Sequence, residues 1–474
     1  MNNNNIHKTF LLTLMVVAAL GAMFYIPRAH IGGVDLRRIN LLSDVQRRDS
    51  EGRIIAELRA DSLDNFTTGF EGTNLPEVEA GYKDVIPDGM VAIEDFADPT
   101  GVNREMDNFY RALGETKKRT VHIAYFGDSF IEGDLFTMEL RDLLQKQFGG
   151  CGVGWVDIEN PTSSFRVTVK HHTWGWDDHS QNDPKRKGFN TGLQGMNGRY
   201  FLPHEGARVE YSGQQRYYTA RLDTFEMVTV YFTPSPTLRV QATVNGEIEK
   251  QIYPGGTTQR AGTVASSSLA GEMGHVSMNA YGGKGSRFYG VALDGRTGIA
   301  LDNFSMRGST GWFQENIPIA TLQAFDRLRH YDLVVLHYGL NVASDHVSDY
   351  TYYINRFKNV INNFKRALPH TSILLIGVSD RDTRRSDGSF QTRKGVKELL
   401  KYQRKMASDT HIAFWDFYDA MGGEGSMARL ADIGEANRDY THITIKGGNR
   451  LARLLYNVLM VGRNNYVKRT NPKR

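Results

Sequence analysis

The sequence predicts an α/β fold built on a flavodoxin-like, doubly wound parallel sheet, with an all-β sandwich or jelly-roll domain inserted into it. Apolar β-rich runs alternate with amphipathic helical segments from about residue 298 onward, and one further strand–helix unit lies at 121–148. Between these parts, residues 160–297 contain many glycines, few helical patterns and repeated short runs of β-branched and aromatic residues. The predicted core is therefore discontinuous, at 98–159 and 298–462.

Residues 1–26 are predicted to be a signal anchor or a signal peptide. Residues 9–26 form an uncharged, mostly apolar run between Lys8 and Arg28, close to the minimum length of a membrane span. The sequence contains no convincing small-x-small cleavage motif, which favours an uncleaved anchor. We therefore expect an exported protein, periplasmic or otherwise extracytoplasmic, held at the inner membrane by residues 9–26.

The segments that flank the core carry weaker patterns. Residues 27–97 have mixed charges, several Gly and Pro and little periodicity, which predicts a tether with irregular packing segments. Residues 98–115 have a polar start and an apolar face, which predicts a helix that leads into the first core strand. Residues 463–474 are predicted to be a basic tail.

The second half of the chain alternates regularly between strands and helices. This alternation predicts about five parallel core strands covered on both faces. The predicted strands are GIALDNFSM, YDLVVLHYG, SILLIGVSD and the start of HIAFWDFYDAMGG, and the predicted helices are WFQENIPIATLQAFDRL, DYTYYINRFKNVINNFKRAL, VKELLKYQRKMAS and ITIKGGNRLARLLYNVLM.

Composition excludes several function classes. A formal net charge of +4 on 474 residues gives no indication of nucleic-acid binding. The single cysteine, Cys151, excludes an intramolecular disulfide framework and a cysteine-based metal site. Its place in a Gly-rich bend favours a buried, inert thiol over a nucleophile. We expect no metal and no organic cofactor; the oligomeric state is left open.

Several residues that could take part in catalysis lie at the junctions between predicted strands and helices. Ser129 follows the first core strand in Gly127-Asp128-Ser129, Gly308 follows the second, and Asn341 follows the third. Because the carboxyl ends of parallel strands meet at one edge of a sheet, these residues are expected to lie together. The last such group, which stands ahead of the final helix, comprises Asp439 and His442.

These residue types are the ones that acyl transfer requires. A serine hydroxyl becomes a good nucleophile when an imidazole accepts its proton, and a carboxylate orients that imidazole. The predicted triad is therefore Ser129, His442 and Asp439. The backbone N–H groups of Ser129 and Gly308 and the side-chain amide of Asn341 are the predicted oxyanion donors. Taken singly, each residue has a plainer interpretation as a turn glycine, a helix cap or a surface histidine.

The four blocks together resemble those of the SGNH (GDSL-type) hydrolase superfamily. They read GDS at 127–129, NFSMRGS at 303–309, GLN at 339–341 and DYTH at 439–442. The resemblance implies that Ser129, Gly308, Asn341 and His442 have the roles of the four residues that give the superfamily its name. The third block departs from the usual GxND pattern at Val342, a position that is not normally part of the triad.

The stretch GDSFIEGDLFTMELRDLLQKQFGGCGVGWV and residues 419–427 resemble the bacterial peptidoglycan O-acetylesterases. That resemblance implies a serine esterase that removes O-acetyl groups from a cell-envelope polysaccharide, with peptidoglycan as the expected substrate, through an acyl-serine intermediate. It also implies that residues 160–297 are a carbohydrate-binding-like β-sandwich. Phe130 stands where the first block usually has His, which leaves the catalytic set intact but bears on substrate preference.

Three alternative functions remain open at this stage. The same triad is compatible with an O-acetyltransferase, with an acetylxylan-type carbohydrate esterase, and with a binding protein on a degenerate scaffold. Two weaker site hypotheses also arise within the insertion. The group His171, His172, Asp177, Asp178 and His179 lacks metal-ligand spacing and is better explained as a polar loop; the aromatic residues Trp174, Trp176, Tyr217 and Tyr218 are candidates either for stacking on sugars or for core packing.

Overall fold

The structure is a computed structural model that describes residues 29–31, 34–36, 82–97, 104–182, 188–214, 221–246, 248–255 and 263–471. The chain divides into two units, Met1–Leu75 and Pro76–Arg474. In the first unit, strands β1 (Ala29–Ile31) and β2 (Val34–Leu36) pair in antiparallel fashion. The predicted anchor at 9–26 lies outside the described residues. Among the helices that are described, none combines the length and the apolarity needed to cross a membrane.

The second unit contains the elements that position the predicted site. Its strands are β3 (Ile93–Asp95), β4 (Thr120–Gly127), β5 (Gly154–Val156), β6 (Val169–Ser180), β7 (Arg199–Gly213), β8 (Phe225–Thr233), β9 (Arg239–Val244), β10 (Ile248–Tyr253), β11 (Ala265–Met273), β12 (His275–Tyr281), β13 (Arg287–Asp294), β14 (Gly298–Ser305), β15 (Tyr331–His337), β16 (Ser372–Ile376), β17 (Asp382–Arg384), β18 (Phe390–Thr392) and β19 (Ala413–Trp415).

Its helices cover the longer predicted helical segments. The α-helices are α1 (Asp107–Ala112), α2 (Thr137–Phe148), α3 (Ile319–Arg329), α4 (Thr351–Ala367), α5 (Lys394–Asp409), α6 (Phe417–Ala420), α7 (Ser426–Asp432) and α8 (Ile445–Thr470). Short 3-10 helices span Glu132–Asp134, Ser163–Phe165, Thr191–Leu193 and Trp312–Asn316.

A six-stranded mixed sheet forms the α/β core, with the spatial order β14-β4-β15-β16-β19-β3. The first five strands are parallel, and their order is the flavodoxin-like order 2-1-3-4-5. The predicted α/β class is therefore confirmed. β15 is buried along its whole length, as a parallel strand covered on both faces should be.

The edge strand β3 was not predicted. It pairs antiparallel to β19 and comes from the segment expected to be an irregular tether. A three-residue strand is too short to show periodicity in the sequence, and its strand geometry follows from the exposed edge of β19 that it covers.

Both ends of the core differ from the predicted boundaries. The helix expected at 98–115 is described from Asp107, and residues 98–103 lie outside the described part. Residues 463–470, predicted to belong to a basic tail, instead continue α8, where Arg469 is buried and hydrogen-bonds Asp107 on α1. A buried arginine paired with a carboxylate fixes the end of α8 against the core.

Strands β5 to β13 form a second, nine-stranded antiparallel sheet. Its order is β10-β9-β12-β7-β13-β8-β11, with β5 on β13 and β6 on β7. A second hydrophobic core is formed largely by residues of these strands and includes Tyr211, Val228 and Val276. The strand-rich character predicted for residues 160–297 agrees with this sheet. The prediction that placed β5 in the α/β core is wrong, because β5 pairs with β13 in the antiparallel sheet.

A buried charge cluster joins the two sheets. Arg329, at the end of α3, donates to Asp294 on β13 at 2.7 Å and to Asp302 on β14 at 2.5 Å. Tyr331 adds a hydrogen bond to Asp302 at 2.9 Å. All three charged side chains are almost completely buried, so each depends on the others for compensation of its charge.

Candidate active site

Ser129 lies just beyond the carboxyl end of β4, in the loop that precedes the 3-10 helix Glu132–Asp134. Gly127 ends the strand at a point with no space for a side chain. A Cβ there would approach the Ile131 side chain to 2.8 Å and the His337 carbonyl oxygen to 3.1 Å. The close approach of β4 to its neighbours therefore requires glycine and presents Ser129, which is half-buried, at the edge of the sheet.

Asp439 and His442 lie in the turn before α8, not within the helix itself. The Asp439 carboxylate accepts hydrogen bonds from the backbone N–H groups of Thr441 and His442, both at 3.0 Å. It also accepts one from Nδ1 of His442 at 2.7 Å. Partial burial acts to raise the pKa of Asp439, but these hydrogen bonds outweigh it and hold the pKa below its ordinary value.

The imidazole connects this carboxylate to the serine. Nε2 of His442 lies 3.3 Å from Oγ of Ser129. The distance is at the long end for a hydrogen bond, as is usual for nucleophile–base pairs before substrate binds. The side chains of His442 and Asp439 are 44% and 50% exposed, so water reaches the imidazole directly. The structure thus brings together the three predicted triad residues, which are remote along the chain.

Gly308 lies in a tight turn after β14. Ser309 donates its N–H to the carbonyl of Met306 at 3.1 Å, and Gly308, the third residue of that turn, has φ of 74°. A Cβ at Gly308 would meet nothing within 4 Å, so the positive φ, not lack of space, favours glycine. Within the described residues, the backbone N–H groups of Ser129 and Gly308 have no hydrogen-bond partner, so both remain free to donate.

Asn341 is exposed at the end of β15 and uses both N–H bonds of its amide. Nδ2 donates to Oδ2 of Asp128 and to the carbonyl oxygen of Ser309, each at 3.0 Å. An oxyanion would therefore have to share or replace one of these two acceptors. The amide ties together the loops that carry Ser129 and Gly308.

Asp128 was not predicted to have a role, yet it lies at the centre of these contacts. Its carboxylate is 1% exposed and also accepts the N–H of Phe130 at 2.9 Å. Burial raises the pKa of Asp128 to about 6, against the lowering effect of the Phe130 N–H, the His442 charge and the Asn341 amide. The sequence did contain an indication, since an Asp between Gly and Ser commonly bonds its own loop.

Phe130, the departure from the usual first block, is buried in an aromatic cluster. Its side chain is 2% exposed and packs against His337, with ring centroids 5.2 Å apart, and edge-on against Phe417. Burial in this aromatic cluster lowers the pKa of His337 to about 3, so that ring is neutral. Phe130 therefore acts on the site through packing beneath the loop of Ser129.

The weaker candidates from the sequence have different surroundings. Burial raises the pKa of Cys151 to about 12, so its half-buried thiol stays protonated. His171 bonds the carbonyl of Ile158 at 2.9 Å. Trp176 is buried, whereas Trp174 is 52% exposed. Tyr217 and Tyr218 lie outside the described residues. No group of three His, Cys, Asp or Glu side chains in the described ranges is arranged to hold a metal ion.

Residues 267–447 match the model of the GDSL-like Lipase/Acylhydrolase family. This stretch includes the predicted blocks at 303–309, 339–341 and 439–442, and it begins within the strand-rich insertion. No curated protein matches the sequence.

Three solved structures illustrate the structural likeness. A peptidoglycan O-acetylesterase is 20% identical, with a TM-score of 0.61, and the match covers 78% of this chain and 99% of that chain. A putative GDSL-like lipase from Parabacteroides merdae is 16% identical, covers 34% and 74%, and has a TM-score of 0.25. A family two carbohydrate esterase from Cellvibrio japonicus is 9% identical, covers 62% and 99%, and also has a TM-score of 0.25. Of the three, the first shows a shared fold, and together with the family match it confirms the resemblance to the SGNH superfamily.

Proposed function

We propose that this chain, a carboxylic ester hydrolase of the SGNH type, removes O-acetyl groups from a cell-envelope polysaccharide through an acetyl-Ser129 intermediate. The observation that carries the proposal is the chain of contacts from Ser129 Oγ to His442 Nε2 at 3.3 Å and from His442 Nδ1 to Asp439 Oδ2 at 2.7 Å. Such an arrangement lets an imidazole accept the serine proton while a carboxylate stabilises the imidazolium.

The first half-reaction forms the acetyl-enzyme. Oγ of Ser129 attacks the acetyl carbonyl carbon as its proton passes to Nε2 of His442. The oxyanion that forms accepts hydrogen bonds from the free backbone N–H groups of Ser129 and Gly308. The imidazolium then gives the proton to the departing sugar oxygen, the bond between that oxygen and the acetyl carbonyl carbon breaks, and the sugar leaves as an alcohol.

The second half-reaction regenerates the enzyme. Water gives a proton to Nε2 and attacks the acetyl carbon, and the bond from that carbon to Oγ breaks as the imidazolium returns the proton to Oγ. Acetic acid leaves and ionises to acetate in solution. The exposure of His442 supports this step, because water reaches the imidazole without rearrangement. Asn341 contributes a further donor to the oxyanion when its amide turns from one of its two present acceptors.

Peptidoglycan is the proposed polysaccharide. The support is the shared fold with a peptidoglycan O-acetylesterase, over nearly the whole of that protein, and the resemblance of the first block to such enzymes. We propose further that the strand-rich insertion is a carbohydrate-binding-like β-sandwich, for which the exposed Trp174 is the candidate stacking surface. Its ring also lies 5.7 Å from the guanidinium of Arg208.

Export and anchoring form part of the same proposal and rest on sequence alone. The apolar, uncharged run at 9–26 supports an anchor that holds the enzyme beside its polymeric substrate. Fractionation of cells that express the full chain, compared with a variant beginning at residue 27, tests this. Membrane association that the shortened chain retains would contradict it.

Acetate release from O-acetylated peptidoglycan, compared with acetylated xylan, tests the function directly. We expect faster release from peptidoglycan and loss of release in Ser129→Ala with folding retained. Faster release of acetate from xylan would contradict the proposal that peptidoglycan is the substrate. Transfer of acetyl groups to an added glycan acceptor in place of acetate release would show a transferase, and unchanged hydrolysis by Ser129→Ala would end the serine-esterase proposal.

A further inference from the structure

A small hairpin lies directly against the turn that carries Asp439 and His442. It consists of β17 and β18, which pair in antiparallel fashion. The backbone N–H of Asp382 donates to the carbonyl of Tyr440 at 3.1 Å, and the rings of Phe390 and Tyr440 lie 4.5 Å apart. The hairpin is therefore fixed to the turn that carries two of the predicted triad residues.

Two arginines face each other at that base. Asp382 pairs with Thr392, so the preceding Arg381 lies opposite Arg393, and the Arg393 N–H donates to the Arg381 carbonyl at 2.9 Å. Residues directly opposite each other in an antiparallel pair project their side chains to the same face, and like charges there are destabilising. The hairpin thus holds two positive charges together at an energetic cost.

The charge of Arg381 has little compensation. In the part of the chain that the structure describes, its guanidinium has neither a hydrogen bond nor a carboxylate within salt-bridge distance, although it is half-buried. Burial first, and the charge of Arg393 second, lower the pKa of Arg381; the charges of Asp345 and Asp439 act in the opposite sense. Arg381 therefore lies within electrostatic range of the predicted catalytic carboxylate.

Arg393 is only partly compensated as well. Asp345, on the loop that follows Asn341, contacts its Nη1 at 3.3 Å. Its Nε is buried without a hydrogen-bond partner in the described structure. The arginine pair is thus connected through Arg393 to the loop that follows Asn341, and through the neighbouring Asp382 to the turn of His442, and both guanidinium groups keep N–H donors without a partner in the described structure.

We propose that Arg381, supported by Arg393, binds a carboxylate of the acetylated glycan beside the ester that Ser129 attacks. The inference rests on the proposed function and deepens it, because it assigns the substrate to the class of anionic glycans. A guanidinium matches a carboxylate through two parallel N–H donors, and a bound anion offsets the repulsion between the two arginines. The carboxylate belongs either to a sugar of the glycan or to a peptide attached to it.

The test compares matched substrates that differ in one charge. One pair is an O-acetylated oligosaccharide with a free carboxylate on its sugar and the same compound with that group as a primary amide. A second pair carries the carboxylate or the amide on an attached peptide. The quantity measured is the ratio of kcat/KM for the acid to kcat/KM for the amide.

We expect the wild type to prefer the acid in one of the two pairs, which identifies the source of the carboxylate. Arg381→Gln should reduce that ratio at least tenfold, and Arg381→Lys should reduce it less, since a lysine keeps the charge but loses the planar fork. Arg384→Gln is the matched control, because Arg384 is exposed on the same hairpin and its removal changes the net charge equally. That control should change the ratio less than about twofold, as expected for a screened surface charge.

Two outcomes would overturn the inference. One is an unchanged ratio in Arg381→Gln. The other is an equal loss on acid and amide with a displaced pH–rate profile, which would make Arg381 a positioning residue for Asp439. If the wild type releases no acetate from any of these compounds, the proposed function fails separately. In that case calorimetry should measure binding of the acid and the amide to Ser129→Ala and to the double variant that also carries Arg381→Gln. Tenfold weaker binding of the acid by the double variant supports the carboxylate subsite, and equal binding of the acid by the two proteins overturns it.

Discussion

The side-chain amide of Asn341 donates a hydrogen bond of 3.0 Å to the buried carboxylate of Asp128. The two residues stand after neighbouring parallel strands, β15 and β4, so this contact connects two loops of the site across the edge of the sheet. The second N–H of the amide is bonded to the carbonyl of Ser309, beside Gly308. One side chain thus fixes the relative positions of the nucleophile loop and the predicted oxyanion loop.

Asn341→Ala should lower kcat on an aryl acetate by about 10²–10³-fold, the usual effect of losing one oxyanion donor, with a smaller change in KM. The loss combines a missing donor with a less rigid Asp128 loop. Steady-state kinetics and thermal unfolding should be measured on the same sample. Asn359→Ala serves as the control, since this exposed helical asparagine bonds only Glu315 in the described contacts, at 3.3 Å. A folded Asn341→Ala enzyme with wild-type kcat would contradict the assigned role.

Asp128 should make stability depend on pH. Its pKa is about 6 in the folded chain against 3.8 ordinarily. Between these values the folded state keeps a proton that the unfolded state releases, so raising the pH favours unfolding. The contribution is fully present below the ordinary pKa and lost as pH rises through about 6, which amounts to about 3 kcal/mol at most.

Urea unfolding of the wild type and Asp128→Asn at pH 4 and pH 7 measures this effect. The free energy of unfolding of the wild type, relative to the variant, should fall between the two pH values. Asp387→Asn is a useful control, because the pKa of this exposed carboxylate is lowered by its bonds with Ser389 and no such fall is expected. Parallel pH profiles for the wild type and Asp128→Asn would show that Asp128 titrates normally.

Asp439→Asn should reduce kcat by about 10²–10³-fold. The amide cannot stabilise an imidazolium and favours the wrong tautomer of His442, but solvent reaches both side chains and replaces part of the lost interaction. Asp432→Asn, an exposed change at the end of α7, should leave kcat within about twofold. Comparable rates for the wild type and Asp439→Asn would remove the carboxylate from the mechanism.

Arg329→Met should lower the free energy of unfolding by about 3–5 kcal/mol, because it leaves Asp294 and Asp302 buried without their cation. Arg327→Met, two residues earlier on the exposed face of α3, should change it by less than about 0.5 kcal/mol. Chemical denaturation measures both. Equal free energies of unfolding for the two variants would show that the buried charge cluster between the sheets does not contribute to stability.

The parallel core and the place of Ser129 were predictable because strand–helix alternation puts the loops that follow parallel strands at one edge of the sheet. Asp439 and His442 follow no parallel strand directly, and their approach to Ser129 was expected from their residue types and from the resemblance of the four blocks. The contacts that tune the site were not predictable. The engagement of both N–H bonds of Asn341 depends on the separation of two loops, and the burial of Phe130 depends on Phe417, far along the chain. Neither quantity has a periodic pattern in the sequence.

The arginine pair escaped sequence analysis for a related reason. Arg381 and Arg393 are 12 residues apart, and their opposition follows from the three-residue strands β17 and β18. Those strands are too short to give an alternating pattern, and the hairpin is positioned by its contacts with Tyr440. The sequence showed the charges but not the face that they share.

Trapping of the acetyl-enzyme tests the central claim most directly. Mixing the wild type with an activated aryl acetate and quenching before the first turnover ends should yield, by peptide mass spectrometry, one acetyl group on Ser129. Ser129→Ala should show neither the adduct nor the accompanying burst of phenol. An acetyl group on a different residue, or a full burst from Ser129→Ala, would contradict the account.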